Sequence, residues 1–136
     1  MAQVIEEYVP GVRENGLITL QPIGYATGAG ASVTQQTNRT TGVTINALCG
    51  TITTNNASLA AEAAAEFTVT NSKVAIGDVI VLSIQSGTNG GNTDAFVSTV
   101  AAGSFKIKVA NNNVAAGTAE TGAILINFSV IKAVSA

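Results

Sequence analysis

Apolar residues recur at every second position in short runs along this chain, and glycine, asparagine and serine punctuate the runs. A period of two belongs to a strand with one covered face. It is clearest in Ser104–Val109, where Phe105, Ile107 and Val109 point one way and Lys106 and Lys108 the other. In the last run, Ile124, Ile126, Phe128 and Val130 share a face. Val43-Thr44-Ile45-Asn46 alternates as well, and Leu48 to Thr54 continues it past an irregularity at Ala47, with Gly50 a candidate bulge. Phe67-Thr68-Val69-Thr70 and Ala95 to Val100 add two more strands. Val79 to Ile84 is apolar at nearly every position, which predicts a central strand covered on both sides. Ser58 to Glu66 is alanine-rich with Ser58 in an N-cap position, and reads either as a two-turn helix or as a turn.

Turn chemistry links these runs. Ser86 to Asn92 reads as a long exposed hairpin tip, Ala101-Ala102-Gly103 as a tight turn, and Asp78 as a turn residue after Gly77. Strand-sized runs joined by Gly and Asn turns, with no long helices between them, predict an all-β chain. The expected fold is an antiparallel β-sandwich or small jelly-roll-like barrel over residues 32–136. Residues 1–31 differ in texture, holding both prolines (Pro10 and Pro22) and apolar residues without a clear period. They are expected to form an extended N-terminal arm that orders against a neighbour. Its candidate contact residues are Val4, Ile5, Tyr8, Val9, Leu17, Ile18 and Leu20.

Composition narrows the classes of function. The chain is 46% hydrophobic and only 10% charged, against roughly 25% charged in an average domain. Its polar surface must therefore come from Thr, Ser, Asn and Gln, which suits packing against protein. Net charge is −2 with no basic cluster, so nucleic-acid binding is not expected. No apolar run reaches the roughly 18 residues of a membrane helix, and the acids near the start do not suit a signal peptide. Production in the cytoplasm without export is expected, with no membrane partner.

Candidate chemistry is sparse. There is no histidine, and the single cysteine, Cys49, lies between β-formers as a small buried hydrophobe would. No catalytic residue, cofactor site or metal site is expected. Glu62 and Glu66 would pair as like charges only on a helix. Arg39, the one charge in the Thr-rich stretch Gln35 to Thr54, reads as a solvated loop residue or as an anchor at a subunit boundary, and Lys132 near the chain end stands in the same position.

The order and spacing of several pieces then resemble a known family. These are the Thr-rich entry T-x-x-T-x-x-T-T-G-V-T-I-N ending at Asn46, Leu48-Cys49-Gly50, Phe67-Thr68-Val69-Thr70-Asn71-Ser72, Gly103-Ser104-Phe105 and Ile126-Asn127-Phe128-Ser129-Val130-Ile131-Lys132. Over residues 35–132 the chain resembles the β-sandwich of capsid decoration (head-stabilising, cement) proteins of tailed phages. The resemblance implies a homotrimer on the outer surface of the virion capsid, with the major capsid protein as partner. The alternative is a tail, fibre or head-fibre module binding a host surface or glycan through the loops Gly87–Asn92 and Asn111–Gly117.

Overall fold

The computed structural model describes residues 20–133, together with the backbone of residues 12–13 and 16–17. Two short strands, β1 (Val12–Arg13) and β2 (Gly16–Leu17), form an antiparallel ladder. The remaining strands are β3 (Gly30–Thr34), β4 (Val43–Thr44), β5 (Cys49–Thr53), β6 (Ala64–Thr70), β7 (Val79–Ser86), β8 (Thr93–Ala101), β9 (Ser104–Asn111) and β10 (Leu125–Ile131). They build two four-stranded sheets, one in the order β3-β5-β10-β7 and the other β4-β6-β9-β8. The fold is an all-β sandwich without a closed barrel, and no helix occurs among the described residues.

The expected all-antiparallel pairing is corrected at two places: β3 runs parallel to β5, and β4 parallel to β6. The reason lies in the path of the chain. From β3 onward it passes from one sheet to the other at almost every connection, and only β8 and β9 are a hairpin within one sheet. Residues 86–92 therefore carry the chain between sheets, because β7 and β8 do not pair. Arches and hairpins use the same turn residues, so sequence does not separate them. The irregularity at Ala47 is likewise a crossover, since Val43–Thr44 and Cys49–Thr53 lie in different sheets.

The core forms where the inner faces meet. Phe67 and Val69 of β6 and Phe105, Ile107 and Val109 of β9 face Ile52 of β5 and Ile126, Phe128 and Val130 of β10, all buried. The two rings Phe105 and Phe128 pack with centroids 5.6 Å apart and planes tilted by 48°, an arrangement worth about 1 kcal/mol beyond area burial. Gly50 is not a bulge. It pairs in register with both Ala31 and Phe128, and a Cβ there would lie 2.2 Å from Ala31 O and 3.1 Å from Phe128 Cε1. Glycine is what lets β3 close on β5 beneath that ring.

Tertiary contacts decide two other local readings: they select the turn over the helix in the first, and overturn the second. Ser58 to Glu66 holds no helix: Leu59 is buried and exchanges backbone hydrogen bonds of 2.9 Å with Glu120 in both directions. Glu62 turns with φ 61°, and the strand starts at Ala64. Alanine's helix preference is under 1 kcal/mol per residue over most residue types, too little to resist that pairing. Strand β7 is an edge strand covered on one side only. Ile80, Leu82 and Ile84 face the core, while Val79 and Val81 face outward.

Candidate interaction surface

The outer faces of the two sheets differ in charge. On the β4-β6-β9-β8 sheet, Glu66 accepts from the Ser98 hydroxyl at 2.7 Å and from Lys106 at 3.2 Å, with Lys108 and Asp94 beside them. Ser98 first, then Lys106, holds the Glu66 carboxyl below its usual range. The outer face of the β3-β5-β10-β7 sheet carries no charge on any strand. Its middle is hydroxyl and amide: Ser32, Thr51, Asn127 and Ser83 lie across it in register, and Thr51 donates to Asn127 Oδ1 at 2.8 Å. One end is apolar. Val79 pairs with Ile131 and Val81 with Ser129, leaving Val79, Val81 and Ile131 at 55%, 48% and 54% exposure.

The chain approaching β3 borders this apolar end. The Tyr25 hydroxyl donates to the carbonyl of Val130, whose own N–H donates to Leu48 O at 2.8 Å. Ile23, Gly24 and Tyr25 with Ser129, Ile131 and Lys132 enclose an open groove of about 330 Å³. Ile23 and Leu20 are exposed. Lys132 closes the corner by pairing with the buried Asp78 carboxylate and donating to Lys73 O at 2.9 Å. Asp78 also accepts from Ala75 N–H at 2.8 Å and Ala133 N–H at 3.0 Å. The Ala75 N–H, the Lys132 ammonium and the Ala133 N–H lower its pKa from 3.8 to about 2, in that order of weight.

At the opposite end of the sandwich the crossovers are tied by a buried polar cluster. Gln35 Nε2 donates to Arg39 O and Thr41 O at 3.0 and 2.7 Å, and its Oε1 accepts from Asn55 N–H. The Arg39 guanidinium spreads over the carbonyls of Ala57, Glu120 and Gly122. Burial lowers its pKa and the nearby Glu120 raises it in part. The Glu120 side chain, fully buried, accepts from the N–H groups of Asn89, Gly90 and Gly122 and from the Thr93 hydroxyl. Burial pushes its carboxyl up, but these donors outweigh it and leave the pKa below the usual value. No buried side-chain nitrogen or oxygen among the described residues lacks a partner.

The candidate residues therefore fall in different places. Arg39 is 5% exposed and its guanidinium is held by carbonyls inside the chain, so it is buried rather than solvated. Lys132 is half-exposed, engaged with Asp78 at the rim of the uncharged face. Cys49 is not a core residue: it lies half-buried on that outer face, and a Cβ at Gly30 would sit 3.5 Å from its Sγ. Leu20 is exposed; Leu17 belongs to β2; Val4, Ile5, Tyr8, Val9 and Ile18 lie outside the described residues. The loops Gly87–Asn92 and Asn111–Gly117 are held internally, through Glu120 and through Asn113, which donates to Gly90 O and Thr118 O. No three metal-ligating side chains gather among the described residues.

Sequence reasoning does not single out Val79, Val81, Ile131 and Tyr25 as surface residues. Alternation alone puts Val79 and Val81 opposite Ile80 and Leu82, yet the run is apolar on both faces and reads as fully covered. Chemically, this face can exclude water and exchange neutral hydrogen bonds. No family model, no curated protein and no solved structure matches the chain.

Proposed function

We propose that this protein is a structural component of a phage virion, a decoration protein that seats on the outer capsid surface as a homotrimer and stabilises the expanded head. The observation that carries the reading is the uncharged outer face of the β3-β5-β10-β7 sheet, apolar at the end where the N-terminal segment enters it. Burying such a face desolvates no ion, and it gains about 25 cal/mol for each Å² of apolar surface removed from water. The motif order in the sequence supports the family, and the N-terminal segment would add contact area beside the face. A glycan-binding module draws less support, because the asparagine side chains of its candidate loops are committed within the chain and the loops present no aromatic ring.

Sedimentation of the protein with expanded capsids tests the proposal. Val81→Lys, and separately deletion of residues 1–16, should leave folded protein that no longer co-sediments. Full binding by both variants would overturn the seating assigned to this face and to the leader.

A further inference from the structure

The loop between β7 and β8 contains Asn89-Gly90, the dipeptide most prone to spontaneous deamidation because glycine leaves the backbone nitrogen unhindered. In that reaction the deprotonated Gly90 nitrogen attacks Asn89 Cγ. A C–N bond forms, the Cγ–Nδ2 bond breaks, ammonia leaves, and water opens the cyclic imide to aspartate or isoaspartate. Both reacting groups are restrained here. Gly90 N–H donates to Glu120 Oε2 at 2.9 Å. The Asn89 side chain is fixed at both ends: Nδ2 donates to Thr121 Oγ1 at 2.7 Å, and Oδ1 accepts from Thr121 N–H and Gly122 N–H at 2.9 and 3.1 Å.

We infer that Asn89 is a latent modification site, kept as asparagine by the Glu120 clamp and converted when the loop lifts off it. Attack requires Cγ to swing onto the Gly90 nitrogen, which breaks the side-chain bonds to Thr121 and Gly122 and frees Gly90 from Glu120. The conversion does not reverse. An aspartate product would place a second negative charge next to Glu120, whose carboxylate already accepts the Asn89 backbone N–H at 3.1 Å. An isoaspartate product lengthens the backbone by one carbon, shifting Gly90 off its acceptor. Deamidation would thus mark permanently the molecules whose crossover has opened and leave it loosened. This inference is independent of any capsid role.

Incubation of the full-length protein at mildly alkaline pH, native and in urea, tests it, with peptide mass spectrometry and enzymatic isoaspartate methylation as readouts. Asn89 should convert about tenfold or more slowly in the native protein than in urea, since only the open population reacts. Glu120→Gln should remove much of that protection. Because that variant risks unfolding, Thr121→Val serves alongside it: it takes away the hydroxyl that holds Nδ2 and should speed conversion several-fold in protein whose circular dichroism is unchanged. Equal rates in native and unfolded wild-type protein, or no acceleration in a folded Thr121→Val, would overturn the inference.

Discussion

At the scale of single residues, stability rests on polar groups that the chain buries with care. Asp78 and Glu120 are both carboxylates buried against backbone N–H donors, and both have pKa values below their usual ones. A depressed folded-state pKa stabilises the fold above the unfolded-state value, and the contribution disappears as pH falls through the folded-state value. For Asp78 the window runs from 3.8 down to about 2. Urea midpoints should therefore fall steeply as pH drops across that window, and Asp78→Asn should flatten that limb while lowering stability at neutral pH. An unchanged acid limb in the variant would show that Asp78 is not a source of the dependence. Glu120 had no visible signal in the sequence: it sits in a loop between Ala119 and Thr121, and its importance comes mainly from donors 27 to 31 positions away in the chain.

At the scale of elements, the strands with one apolar face were legible and the others were not. Phe105, Ile107 and Val109, and Ile124, Ile126, Phe128 and Val130, are all buried as their alternation requires. Val79–Ser86 misled because β-branched residues on both faces look the same whether a second layer covers them or not. Gly50 shows the opposite problem. A glycine in a strand suggests a bulge, whereas here it marks the close approach of two backbones. Gly50→Ala should destabilise by about 1–3 kcal/mol, the usual cost of overpacking, by forcing Ala31 away from β5. Thermal unfolding would measure it, and a loss below roughly 0.5 kcal/mol, ordinary for a neutral surface change, would mean that β3 shifts freely.

At the scale of the whole molecule, the two sheets are chemically unequal. One presents Glu66, Lys106, Lys108 and Asp94 on its outer face, the other an uncharged face with apolar residues at one end. Contiguous exposed apolar surface on an edge strand is usually covered in the working assembly. Val81→Lys should accordingly change the unfolding free energy by no more than about 0.5 kcal/mol while reducing self-association, read by analytical ultracentrifugation, or capsid binding. A large loss of stability would instead place Val81 in the packing of the monomer. Cys49 belongs to this same face, and Cys49→Ser should cost less than about 1 kcal/mol, because the thiol is only half-buried.

The sequence by itself determined that the chain is all-β, which residues line the inner faces of β9 and β10, and that its surface is poor in charge. These follow from period and composition, which are local. The tertiary structure alone decided the parallel pairing of β3 with β5 and β4 with β6, the edge position of β7, the choice of turn over helix in the alanine-rich stretch, and the burial of Arg39 and Glu120. Each depends on partners distant in the chain, and a turn residue looks the same whether it returns the chain within one sheet or sends it across to the other.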